Sequence, residues 1–105
     1  MPLTSKQRAF LRGQANHLEP IVQIGKDGVG DTLVQQTRDA LEAREMIKCR
    51  VLENSLMTAR EACDTLSVRT GSQPVQVIGN IFVLYRQQQD KSKRKYDLPK
   101  TAKKS

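Results

Sequence analysis

Tryptophan is absent from this chain, and its aromatic complement is two phenylalanines and two tyrosines. A core must therefore rest on Leu, Ile, Val and Ala, with about 1.5–3 kcal/mol for each larger side chain fully buried. So few aromatics also leave little for stacking on splayed bases. The only histidine is His17, and the two cysteines, Cys49 and Cys63, have no metal-ligand spacing. That excludes a zinc site and a Cys–His nucleophile, and argues against a disulfide framework. Reduced, buried thiols in a cytoplasmic protein are the expectation. No apolar run approaches the about 20 residues of a membrane-spanning helix. Nor do residues 1–12 hold the apolar stretch of a secretory signal. A phosphate-binding P-loop needs Ser or Thr after Gly-Lys, whereas Gly25-Lys26 is followed by Asp27. Acidic residues occur singly on predicted helices. The chain is expected to be no enzyme, with no cofactor, metal, catalytic residue, small-molecule substrate or membrane partner.

What the chain does carry is positive charge. Its 105 residues hold 18 Lys and Arg against 11 Asp and Glu, for a net of +7. Such a field attracts polyanions, nucleic acid before all others. The excess is uneven. Residues 1–86 have 11 basic and 9 acidic side chains, and residues 87–105 have 7 and 2. The second stretch offers only Tyr96, Leu98 and Ala102 for burial, so a single domain over 1–86 followed by a basic, disordered tail over 87–105 is expected.

Within the body, patterns of two periods alternate. Thr4 with Gln7 forms a capping box behind Leu3, and Phe10, Leu11, Ala15 and Leu18 repeat at helical spacing, predicting a helix over 5–17. Pro20 stops it. Ile21 to Ile24 reads as a short strand. A second helix is predicted over 31–44, with Asp31 and Arg44 both complementing its dipole. Ile47, Cys49 and Val51 alternate with Lys48 and Arg50 in a half-exposed strand over 46–52. Thr58 and Glu61 form another capping box, opening a helix that ends at Gly71. Two strands, 75–78 and 81–85, then flank the hairpin turn Gly79-Asn80. The predicted class is α/β, in the order α-β-α-β-α-β-β. Strands joined through helices should run parallel and the last pair antiparallel, in one mixed four-stranded sheet with three helices.

Gly25-Lys26-Asp27-Gly28 is the sharpest local feature. It lies between a strand's carboxyl end and a helix's amino end, where unpaired N–H groups and the helix dipole favour a phosphate. Its glycines permit a tight turn and close approach of another backbone. Lys26 adds a charged donor. The GxxG loop of KH domains clamps a nucleotide backbone in the same manner. As a string alone, the motif better fits an ordinary strand-to-helix turn; its place ahead of a helix in a basic domain brings the two readings level.

Several segments together carry a resemblance. Thr4-Ser5-Lys6-Gln7-Arg8, Leu18 to Gly28, Ala40 to Lys48, Val51-Leu52-Glu53-Asn54 and Gln76 to Arg86 follow in order. They resemble the YhbY-like family, the stand-alone bacterial members of the chloroplast RNA splicing and ribosome maturation (CRM) domain, across about residues 3–86. The resemblance implies a fold like the C-terminal domain of translation initiation factor three, with a KH-like glycine loop. It implies RNA binding, with structured RNA of a ribosomal precursor or a precursor large-subunit particle as partner, and a part in ribosome assembly. Two residues depart from the pattern. Gly30 stands where the family commonly has Thr or Ser, and Asp27 puts an acid inside the phosphate loop.

The candidate RNA-binding set is Gly25, Lys26, Asp27 and Gly28, with Lys6, Arg8 and Arg12 on the first helix, Lys48 and Arg50 on the second strand, and Lys91, Lys93, Arg94 and Lys95 in the tail. Arg8 and Arg12, four apart, share a helix face. Lys48 and Arg50 project together. On an open sheet face they would touch phosphate; under the third helix they would be ion-pair partners. Tyr96 is a candidate stacking residue, and Tyr85 reads as a half-buried sheet residue. Three rival readings remain: a protein-binding adapter on ribosomal particles with incidental RNA affinity, a DNA-binding protein, and a nucleotide hydrolase.

Overall fold

The computed structural model describes residues 3–96 and residue 98, the side chain of Lys91 excepted. Helix α1 (Ser5–Ala15) leads to β1 (Pro20–Ile24), α2 (Asp31–Arg44), β2 (Met46–Val51), α3 (Ala59–Thr70), β3 (Gln73–Ile78) and β4 (Ile81–Tyr85). The strands form one mixed sheet in the order β1-β2-β4-β3. β1 and β2 run parallel, and β4 pairs antiparallel with both β2 and β3. The expected class, three helices on a mixed four-stranded sheet, is the one observed.

Local chemistry accounts for most boundaries. Thr4 and Gln7 exchange side-chain and backbone hydrogen bonds at 3.1 Å each, and Thr58 and Glu61 do so at 2.9 and 3.1 Å. Each cap contributes about 1 kcal/mol by satisfying otherwise orphaned amides. Helix α1 ends two residues before the expected 17. His17 and Leu18 donate instead to Gln14 and Ala15, three residues back, and the tightened turn hands the chain to Pro20. β3 begins at Gln73 rather than at 75, through Pro74. Proline is tolerated there because β3 is an edge strand, so its missing N–H interrupts no inner ladder. In the hairpin, Gly79 alone takes a positive φ, +60°, as a Gly-X turn requires.

The sheet buries both faces unequally. On one face Val22, Ile24, Ile47, Cys49, Phe82 and Leu84 meet Val34 and Leu41 of α2 and Ala62 and Leu66 of α3. On the other, Met46, Val75, Val83 and Tyr85 pack with Leu11 and Ala15 of α1, joined at the margin by Phe10, Leu18, Tyr96 and Leu98.

Both thiols sit in the first cluster, fully buried. Burial, with Asp64 adding to it, pushes Cys63 up to about 11, and burial with Cys63 nearby pushes Cys49 higher still. Since the thiolate is the reactive form, a disulfide-exchange reagent at mildly alkaline pH is expected to label neither cysteine in the folded protein and both after unfolding. Absorbance of the released chromophore reports this, and rapid labelling without denaturant would contradict the packing.

Candidate nucleic-acid interface

Between β1 and α2 the chain reverses in one turn, closed by Gly28 N–H donating to the Gly25 carbonyl at 3.1 Å. Gly28 has φ +69°, a left-handed conformation that disfavours any side chain, and a Cβ there would lie 3.6 Å from Met57 Sδ. Gly25 is less demanding. A Cβ would stand 3.6 Å from Asn54 Oδ1 and 3.8 Å from Leu52 Cδ1, ordinary contact distances. Only the second glycine is therefore fixed by the turn itself. Lys26 and Asp27 occupy the exposed tip. The base of the turn is tied to the end of β2 by Leu52 N–H donating to the Ile24 carbonyl at 2.9 Å.

Behind the turn, α2 opens differently from its neighbours. Its N-cap is Gly30, which supplies no side-chain acceptor, whereas Thr4 and Thr58 close the other two helices. The first-turn amides of α2 thus face an open concavity of about 630 Å³, lined by Gln23, Lys26, Thr32, Gln36 and Asn54 among others. Asp31, in that first turn, pairs with Arg69 at 2.8 Å.

The predicted basic strand residues prove to lie on the face away from α2 and α3. Cys49 and its alternates point into the helix-covered core, so Lys48 and Arg50 point to the α1 side, where Lys48 is half-buried and Arg50 exposed. Neither takes part in an ion pair among the described residues. Arg50 lies beside exposed Gln23 of β1, the strand that leads into the glycine turn, and opposite Ile81 of β4. From α1, Lys6 and Arg12 are exposed on this same side of the sheet, while Arg8 is half-buried and its Nε reaches the Pro74 carbonyl at 3.5 Å. The opposite side is nearly balanced. There α2 and α3 carry Asp31, Asp39, Glu42, Glu61 and Asp64 against Arg38, Arg44, Arg60 and Arg69. Arg38 is spent on the Arg69 carbonyl and Arg69 on Asp31. The charge excess of the body therefore faces outward from α1 and the open part of the sheet.

Of the tail residues, Lys93 and Lys95 are exposed, and the Arg94 guanidinium donates from Nε to the Gln88 carbonyl at 2.7 Å. The side chain of Lys91 lies outside the described residues, as do 99–105. Sequence reasoning missed Glu45. This residue, between α2 and β2, is fully buried and accepts hydrogen bonds from tail amides. The signal available was faint: an acid at a helix–strand junction.

The chain is 45% identical, over 92% of its length and 99% of the other's, to the probable RNA-binding protein YqeI of Bacillus subtilis. It is 36% identical, over 80% of its length and 85% of the other's, to a protein of Haemophilus influenzae named as RNA-binding. The solution structure of SAV1595 from Staphylococcus aureus, titled as a candidate RNA-binding protein, superposes with a TM-score of 0.75 at 42% identity, covering 92% of this chain and 99% of that one. The family model of the CRS1/YhbY (CRM) domain matches residues 3–86, from the cap of α1 to the end of β4, and the chain belongs to that family.

Proposed function

We propose that this protein binds structured RNA, gripping backbone phosphates with the Gly25–Gly28 turn and continuing the contact across Arg50, Lys48 and the exposed bases of α1. The observation that carries this reading is a convergence at one end of the sheet. An uncapped helix start, a glycine turn held open at φ +69°, and exposed Lys26 face one concavity, with Arg50 on the neighbouring strand. Amides and a lysine aimed at one place are what a phosphate requires. Base reading by stacking is poorly provided for, since Tyr85, Phe82 and half-buried Tyr96 are engaged in packing. Recognition then falls to RNA shape and backbone. Relatives of similar length and fold, named for RNA binding, support the partner's class.

The RNA we propose is a ribosomal precursor, bound on immature large subunits during assembly. The protein acts as a holder or shield that leaves by competition or RNA refolding. Two measurements test this. In competition titrations, a structured RNA should displace a labelled RNA stem–loop far better than a DNA duplex of equal length; equal displacement would point to a general polyanion binder. In sedimentation of cell extracts, the protein should travel with immature large subunits, and confinement to the free-protein fractions would remove the ribosomal assignment.

A further inference from the structure

The segment after β4 is held by a buried charge. Glu45 leaves α2 at a positive φ, +71°, with no exposed surface. One carboxylate oxygen accepts from Gln88 N–H at 2.8 Å, and the other from Lys95 and Tyr96 N–H at 2.7 and 3.1 Å. Its backbone carbonyl accepts from Arg86 at 2.8 Å, so the strand exit is fixed as well. Amide donors on an ionised acceptor make strong hydrogen bonds, and a buried carboxylate without them would be costly. Around this anchor the chain makes a short 3-10 turn, Lys91–Lys93, with Asp90 accepting from Ser92. Tyr96 then meets Tyr85 edge to face, with centroids 6.4 Å apart, and joins the α1-side cluster with Leu98. Few apolar residues suffice because the carboxylate supplies the fastening. The segment also lies outside the family span of 3–86, yet the Bacillus relative matches over 97 residues and so takes it in.

We infer that Glu45 is a positioning residue for RNA binding, pinning this segment so that exposed Lys93 and Lys95 stand as fixed phosphate contacts, Lys93 at the concavity it lines with Glu42, Gly71 and Arg86. The inference rests on the RNA-binding reading above. A free polycation must lose its conformational freedom when it binds, whereas a pinned one has already done so on folding. Arg94, engaged with Gln88, stiffens the segment more than it serves as a free cation.

A mutant cycle tests the inference, with a fluorescein-labelled RNA stem–loop as probe and anisotropy read over a series of salt concentrations. In the full chain, the double substitution Lys93→Gln, Lys95→Gln should weaken binding about tenfold and lower the salt slope by nearly two. In a Glu45→Ala background the same pair should cost about threefold or less, because the lysines no longer hold their places. Glu45→Gln should fall between. Its oxygen can keep Lys95 and Tyr96, but its amide group opposes the Gln88 donor. Amide exchange at Gln88, Lys95 and Tyr96 should quicken in the same order. Should Glu45→Ala not fold, Tyr96→Ala loosens the same segment and serves in its place. An equal lysine cost in both backgrounds would overturn the positioning role while leaving RNA binding intact. A wild-type protein with no affinity for the probe would overturn the RNA reading itself.

Discussion

Lys26→Glu is expected to weaken RNA binding about ten- to thirtyfold at moderate salt while leaving the unfolding curve in place. The lysine is exposed at the tip of the turn and makes no ion pair among the described residues, so the fold has no stake in its charge. A charged hydrogen bond to phosphate is worth about 1.5–3 kcal/mol, and a reversed charge adds repulsion beside Asp27. The slope of log affinity against log salt should fall by about one, the signature of one phosphate contact, and its released counterion, lost. Lys26→Gln should share the loss of slope with a smaller loss of affinity. Filter binding over several salt concentrations separates the two, and an unchanged titration for Lys26→Glu would remove the turn from the interface. Asp27→Asn is the informative partner. The acid points from the same exposed turn, and its neutralisation should strengthen binding if the phosphate passes close to both side chains.

Elements whose ends are decided within a few residues were legible in the sequence. Thr58 with Glu61, Thr4 with Gln7, and the Asp31-to-Arg44 helix needed no knowledge of their neighbours, because caps and dipoles act over one turn. Gly79-Asn80 belongs with them. The early start of β3 was hidden, since Pro74 is admissible only on an edge strand, and strand order is a property of the whole sheet. The two faces of β2 were legible as an alternation but not as an orientation. Nothing local to Lys48 and Arg50 says on which side α3 will cross, and that crossing decides whether they are covered or free.

The site divides along the same line. Gly28 announces its turn because a left-handed φ selects glycine, while Gly25 would accept a side chain at ordinary contact distance. Glu45 announced nothing. Its partners lie 43, 50 and 51 residues further along, and they are backbone amides, which carry no sequence signature. Counting apolar residues could not register these contacts, because what holds Gln88, Lys95 and Tyr96 is a hydrogen-bonded carboxylate rather than a hydrophobic patch. The question of which groups satisfy a backbone amide is answered only by the fold.

Phe82→Ala and Ile81→Ala should differ sharply although the residues are adjacent. Phe82 is fully buried at the centre of β4, opposite Cys49 and Val77 and facing α2 and α3. Removing its ring costs about 3–5 kcal/mol in transfer free energy and cavity. For a domain whose whole stability is about 5–15 kcal/mol, that leaves a marginal fold. Ile81, half-exposed on the other face beside Arg50, should cost about 1 kcal/mol or less. Urea midpoints at unchanged slope measure both. The contrast bears on function, because one-residue alternation is also what sends Arg50 outward. A sheet paired one residue out of register would bury Arg50 and expose Cys49. Similar losses for the two alanine variants would therefore undermine the open basic face, whereas a large loss at Phe82 beside a small one at Ile81 keeps Arg50 on the outward face of the sheet.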